Sequence, residues 1–340
     1  DHHVWCWGYG GYGALGIENY GDKDLPVEVA GLTDAVQISA HPAGGHTCAV
    51  RSTGEIVCWG LNIFGQLGDG TTTNGFTPQA VVGISNATRV FAGVLHTCAQ
   101  LDDDTARCWG LNGVGQLGDG TTTDSAVPVP VLVAPSLGSP AVNATTNCSL
   151  GADAAVRCWG SNQHGELGTG STDSESLLPV DVTDLTDAVS LSAGYFHSCA
   201  AITDGSVKCW GYNEEGQLGD NAGGVGVVSR VPVAVSGITD ATEVALGNHH
   251  SCALRSGGTV SCWGRGNSGQ LGNDDVTNSS TPVDVQGLTG VASVSGGNAH
   301  TCAVTVSGTA WCWGSDANGQ LGDGPSPQTA LVPVQVQGLS

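Results

Sequence analysis

Cysteine and histidine are the residues of this chain whose spacing could do chemistry. Twelve of the thirteen cysteines fall into pairs ten residues apart: Cys48 with Cys58, Cys98 with Cys108, Cys148 with Cys158, Cys199 with Cys209, Cys252 with Cys262, and Cys302 with Cys312. A ten-residue interval centred on a short turn sets its two ends opposite each other in a β-hairpin, where Cβ atoms lie ~4.5–5.5 Å apart, near disulfide reach. Six disulfides are expected, each closing a short loop and contributing at most about 2–3 kcal/mol. Disulfides this regular imply an oxidising location: extracellular, cell-surface or periplasmic. The rival chemistry is zinc, since His46-x-Cys48 with Cys58 offers three ligands and the pattern recurs at His96, His197, His250 and His300. A structural zinc site takes four ligands. The fourth is missing, and Thr146 replaces the histidine in a unit that keeps both cysteines, so no metal is expected. Cys6 is left unpaired.

The remaining candidates are weaker. The five histidines would form a ring able to hold an anion, or would hydrogen-bond locally to fix each strand–loop junction; the second reading is preferred. The acidic loops at Asp69–Asn74, Asp119–Asp124 and Asn273–Asp275 are the candidates for calcium, but lack the strict spacing of a calcium-binding loop; no cofactor is expected. Asn86, Asn143, Asn147 and Asn278 occupy Asn-x-Ser/Thr glycosylation sequences. No nucleophile elbow, phosphate loop or recurring acid pair is found, so the chain is not expected to be an enzyme.

Charge narrows the partners. Nine Lys and Arg face thirty-one Asp and Glu, for a net charge of −22. Nucleic-acid binding draws on cations that neutralise phosphates, and an anionic membrane selects basic segments; both are excluded as partners. No apolar run approaches the ~20 residues of a membrane span. Methionine is absent, which predicts that Asp1 is not an unprocessed start.

The elements that position these residues repeat. Cys-Trp-Gly begins at Cys6, Cys58, Cys108, Cys158, Cys209, Cys262 and Cys312, at intervals of 50 to 53 residues. A second glycine block follows each one, as Gly-Gln-Leu-Gly at Gly65–Gly68 and Gly115–Gly118, and degenerate as Gly13-Ala14-Leu15-Gly16 in the first unit. Ala35–Ser39 alternates apolar and polar, the mark of a half-buried strand. Thr47–Arg51, Glu55–Trp59 and Gln79–Val82 complete four short strands per unit. Fifty-four glycines at the joints suit tight turns and oppose long helices. Four strands per ~50 residues, repeated about seven times, read as an all-β propeller of four-stranded blades, with an open solenoid as the alternative.

The string Gly-x-x-His-Thr-Cys-Ala followed by Cys-Trp-Gly-x-Asn-x-x-Gly-Gln-Leu-Gly resembles the regulator-of-chromosome-condensation repeat, over essentially the whole chain, and a secreted bacterial kind of member in particular. The resemblance implies a seven-bladed β-propeller and leaves function open, because one fold hosts many activities. Residues 1–340 then form one domain of six full blades and half of a seventh. The absent half holds the partner of Cys6; it would come from sequence beyond either end or from another chain through an intermolecular disulfide.

Function is sought where the repeats disagree. Loop tips that vary on a fixed scaffold form the binding face of repeat folds, and large apolar groups there make interface anchors. Tyr9, Tyr12, Phe64, Leu95, Tyr195 and Phe196 are the expected partner-binding residues. The resemblance supports this, since in a secreted inhibitor of the family the corresponding loops form the protein-binding face. The expected function is a protein-binding or self-assembly scaffold. A carbohydrate-binding or adhesion module is the alternative, and a secreted hydrolase a remote third.

Overall fold

Short strands separated by glycine turns cannot bury their apolar faces alone, so they stack as sheets around an axis. The computed structural model describes residues 2–132, 139–325 and 328–339. Its first four-stranded sheet is a meander of Ala35–Ala40, His46–Arg51, Ile56–Gly60 and Gly75–Ala80, hydrogen-bonded in chain order. Five more sheets of the same order follow, running from Ala87 to Pro130, Ser139 to Asp181, Ala188 to Ala234, Ala241 to Asp284 and Val291 to Gln335. These are blades one to six. A two-stranded sheet of Trp5–Gly8 and Lys23–Glu28 stands beside them. The chain is thus an all-β propeller with six four-stranded blades; the expected seventh is present only as this pair.

The first strands of neighbouring blades lie against one another and surround a cavity of about 280 Å³, lined by Ser39, Phe91, Ala141, Leu191, Glu243 and Val294, one from each blade. Side chains tie these inner strands together. The Gln37 amide accepts from Val90 N at 2.8 Å and donates to Val90 O at 2.9 Å, and Ser39 Oγ accepts from Ala92 N at 3.0 Å.

Strand limits differ from expectation chiefly at the outer edge, where the fourth strand covers Gly75–Ala80 rather than 79–82. Pro78 lies inside it. The fourth strand is the outermost, with one unpaired edge, and an edge strand tolerates the missing proline donor. The last strand likewise takes in a proline, Pro333, within Ala330–Gln335, and Ser340 lies outside the described residues.

The paired cysteines sit directly opposite on second and third strands. All six expected disulfides join them. The bulge at the glycine of Cys-Trp-Gly turns the chain outward: Gly60 has φ +106°, and a Cβ there would lie 2.3 Å from Gly45 O.

Two links repeat between blades. Each tryptophan of Cys-Trp-Gly packs against the preceding unit and donates its indole N–H to a carbonyl of that unit's Gly-Gln-Leu-Gly block: Trp109 to Gln66 O at 2.9 Å, Trp159 to Gln116 O at 3.0 Å, Trp210 to Glu166 O at 2.8 Å. The degenerate block serves equally, with Ala14 O accepting from Trp59 at 2.9 Å. Trp7 donates to Gln320 O at 3.1 Å and closes the outer circle. The histidines form the second link. They reach across to the next blade rather than fixing their own junction: His46 Nε2 meets Thr97 Oγ1 at 2.8 Å, His96 meets Asn147 Oδ1 at 2.8 Å, His197 meets Ser251 Oγ at 2.9 Å, and His250 meets Thr301 Oγ1 at 2.8 Å. Thr146, in the histidine position of blade three, bonds its own blade at Ser161 O.

Burial makes these imidazoles hard to protonate. His46, His197 and His250 are pushed down to about 3, and His96 to about 4, by desolvation first. Neutral, enclosed and bonded across blades, they are unsuited to the anion ring considered from sequence.

Two stability predictions follow from these links. Stability is fully present above pH 6.5, the unfolded value. It falls as the pH drops toward 4, because only the unfolded chain takes up these protons, by up to ~1.4 kcal/mol per pH unit for each buried imidazole. The melting temperature should therefore drop across that window, and less steeply in His250→Gln; an equal slope in the variant contradicts the assignment. At Gly118, φ is +67° and a Cβ would lie 2.8 Å from Trp159 Nε1, whereas at Gly83, φ +72°, it would meet nothing within 4 Å. Urea denaturation should show Gly118→Ala destabilised by about 2–3 kcal/mol and Gly83→Ala by roughly 1 kcal/mol; equal losses contradict the tryptophan contact.

Candidate functional site

Two loops of each blade meet at one end of the propeller: the turn before the repeated histidine and the loop after Cys-Trp-Gly. A backbone bond fastens them, from Leu61 N to Gly45 O at 2.8 Å, Leu111 N to Leu95 O at 2.9 Å, Tyr212 N to Phe196 O at 2.9 Å and Arg265 N to His249 O at 2.9 Å. The asparagine of Cys-Trp-Gly-x-Asn braces the longer loop from inside. Asn62 Nδ2 donates to Thr71 O and Thr73 O, and its Oδ1 accepts from Leu67 N. Asn112 repeats this set with Thr121, Thr123 and Leu117. The loop tips therefore vary in side chain on a backbone held in one conformation.

The acidic loops are part of that brace. Asp69 accepts from Thr71 N at 2.9 Å and from Asn62 Nδ2 at 3.3 Å, and Asp119 does the same with Thr121 and Asn112. Among the described residues no three His, Cys, Asp or Glu side chains converge as a metal site would require. Of the glycosylation sequences, Asn143 and Asn147 are fully buried. Asn147 also donates to Gln116 O, so neither can carry a glycan in the folded chain.

The six expected face residues divide. Tyr9 and Tyr12 are exposed and stand edge to face at 6.5 Å, with Tyr12 at φ +61° in the turn Gly11–Gly13. Phe64 and Leu95 are half-buried loop residues, and among the described residues no ring contact joins Phe64 to another aromatic group. Tyr195 and Phe196, 4.4 Å apart, belong to a larger cluster over blades three to five. Phe196 lies 4.9 Å from His164 and 6.4 Å from Tyr212, and His249 lies 6.0 Å from Tyr195 and 6.2 Å from Tyr212. Sequence singles out neither His164 nor Glu166. Their signal is a departure from the repeat: Glu166 occupies the place of Gln66 and Gln116, and it accepts from His164 N at 2.7 Å. Burial raises the Glu166 carboxyl above the usual range.

The charges around the cluster are set by contact. Burial first, then the hydrogen bond to Glu214, pushes the Tyr212 phenol up to about 12. That bond, with a second from Gly226 N at 2.8 Å, holds Glu214 below its ordinary value and so ionised. Burial, then Arg265, lowers His249.

A second feature lies at the two-stranded sheet. Cys6 pairs in register with Val27 and has no disulfide partner; burial pushes its thiol up to about 12. The strands flanking its inner side are uncovered. Ile38 is 44% exposed, where its counterpart Val90 is 0%; Val304 is 40% exposed, where Val50 is 1%. His300 faces this slot, and among the described residues it lacks the next-blade acceptor met by His46 and His250.

The family model for the RCC1-like domain matches residues 3–340. The ultraviolet-B receptor UVR8 of Arabidopsis thaliana is 31% identical over 275 residues, covering 79% of this chain and 62% of that protein. The mitochondrial RCC1 domain-containing protein RUG3 of Arabidopsis thaliana is 30% identical over 278 residues, covering 81% and 41%. The chain spans less than two thirds of the length of both. Among solved structures, yeast RCC1 (Prp20) bound to Kap60 superposes with a TM-score of 0.88 at 20% identity, over 99% of this chain and 84% of that one. Human WBSCR16 gives 0.88 at 20% identity over 99% and 94%. These two likenesses concern the fold. Repeat, architecture and family match agree, and the chain belongs to the RCC1-like domain family.

Proposed function

We propose that this chain is a non-catalytic scaffold that binds another protein through its loop-tip face, in an oxidising location outside the cytosol. One observation carries the reading: aromatic residues stand at loop tips whose backbone is fastened from within, on a surface otherwise rich in carboxylates. The blades are already joined by the tryptophans and histidines, and Tyr9 and Tyr12 stand exposed, so packing within the fold does not account for them. Rigid tips lose little entropy on binding, so their contacts are available to a partner. The six disulfides fit the proposed location. Carbohydrate binding is the second reading, favoured by the exposed Tyr9–Tyr12 pair.

The same reading makes the two-stranded sheet the outer half of a seventh blade. The slot beside it has the shape of the repeat's own first and second strands, with Cys6 in the place of Cys58 and His300 awaiting a hydroxyl or amide such as Thr97 or Asn147.

Double replacement Tyr9→Ala with Tyr12→Ala, and separately Tyr195→Ala with Phe196→Ala, should weaken capture of a cognate partner from extracellular extracts at least tenfold, the first without lowering the melting temperature and the second with the chain still folded. Glycan-array binding that survives in the purified chain and is lost in Tyr9→Ala would move the assignment to carbohydrate. Capture unchanged in both double variants removes the face. For the slot, disulfide mapping of the protein isolated from its source should find Cys6 bonded to a cysteine in a His-x-Cys sequence; a free Cys6 thiol there contradicts the seventh blade.

A further inference from the structure

Tyr195, Phe196, Tyr212 and His249 form a closed circuit of rings, with successive centroids 4.4, 6.4, 6.2 and 6.0 Å apart. They come from blades four and five, and His164 of blade three buttresses the circuit at 4.9 Å from Phe196 and 5.3 Å from Tyr212. A circuit with sides of about 6 Å leaves its centre within ~6 Å of every ring, the reach of a cation–π contact. All the rings are half-buried, so their faces are partly stripped of water, where such contacts are strongest.

The charges point the same way. Glu214 is bonded to the Tyr212 hydroxyl. Glu215 lies close enough to act on both Tyr212 and His249, and its carboxylate also accepts from Asn278 Nδ2. The facing cation is Arg265, whose Nε donates to Asn267 Oδ1 at 3.0 Å. The Tyr212–His249 side of the rim is therefore negative, with Glu214 and Glu215 against Arg265, while on the His164 side Arg230, which donates to Gln163 O at 3.3 Å, faces Glu166; the chain as a whole carries −22. Such a rim raises the local concentration of cations and repels anions.

We propose that this ring circuit is a subsite for a cationic side chain, lysine or arginine, presented by a basic segment of the protein partner. The inference rests on the scaffold reading and deepens it by stating the chemistry of the partner. The aromatic faces hold the alkyl stem and the charged head together, and Glu214 and Glu215 at the rim select the positive charge. Blades one and two offer no equivalent, since Gly45 with Leu61 and Leu95 with Leu111 occupy the positions of Phe196 and Tyr212.

The probe is a pair of acetylated, amidated pentapeptides, Gly-Ser-Arg-Ser-Gly and the same peptide with neutral citrulline in place of arginine. They are titrated against the purified chain while the tyrosine ring resonances are followed by nuclear magnetic resonance. The arginine peptide should give saturable shifts at Tyr195 and Tyr212, and citrulline should bind at least tenfold more weakly. Glu214→Gln with Glu215→Gln should weaken the arginine peptide at least fivefold with the ring resonances otherwise in place. Phe196→Ala should abolish the shifts. Equal binding of both peptides, or no shift with either, overturns the subsite. A partner captured by the face with unchanged affinity in the double Gln variant also overturns it, while leaving the scaffold reading intact.

Discussion

The indole N–H of each repeated tryptophan, donated to a carbonyl of the preceding unit, is the contact on which the rest of the molecule depends. It places the largest side chain of one sheet over a glycine of its neighbour, at a distance that admits no Cβ. That single fit fixes the spacing of the sheets, buries six tryptophans completely and brings the block carbonyl within reach of a hydroxyl. Gln66 O, for instance, also accepts from Thr97 Oγ1 at 2.8 Å. The hydroxyl in turn meets a histidine of the neighbouring sheet. Tryptophan, hydroxyl or amide, and histidine thus form a relay at four of the five seams between four-stranded blades, built from residues that the sequence places about fifty positions apart.

That periodicity explains what could be read from the chain unaided. Cysteine spacing gives the hairpins, because a disulfide between second and third strands depends only on local register. The propeller was legible for the same reason: a repeat with glycine joints has few ways to bury itself. The fourth strand begins before the expected Gln79 because Pro78 stands inside it, which an unpaired outer edge permits. The destination of the histidines was not legible, since their acceptors lie on another sheet. His164 was missed on the same ground. Nothing next to it in sequence is aromatic, and it meets Phe196 only because blades three and four are neighbours in space. Tyr195 and Phe196 were recognised because they depart from their counterparts in other units, which is local information.

Charge is distributed in a way consistent with this division of labour. Arginines near the opposite turns are tied to carboxylates, Arg51 to Asp34 at 2.9 Å, Arg157 to Asp153 at 2.8 Å and Arg255 to Asp240 at 2.7 Å. Pairs this exposed add little stability. They do neutralise three of the nine cations that the chain possesses, and the excess of carboxylates dominates its field.

The one relay that departs from the pattern has a consequence for motion. At the junction of blades three and four, Thr146 turns back to Ser161 instead of reaching Ser198. That junction lacks the buried histidine bond of its neighbours and is joined nearer the surface, where Arg230 of blade four donates to Asn162 O at 3.0 Å and Gln163 O at 3.3 Å of blade three. His164 and Phe196 bridge this same line at the surface. This suture is thus clasped from outside, by a guanidinium and by aromatic side chains, and whatever settles on those rings also stiffens the hold between the two walls.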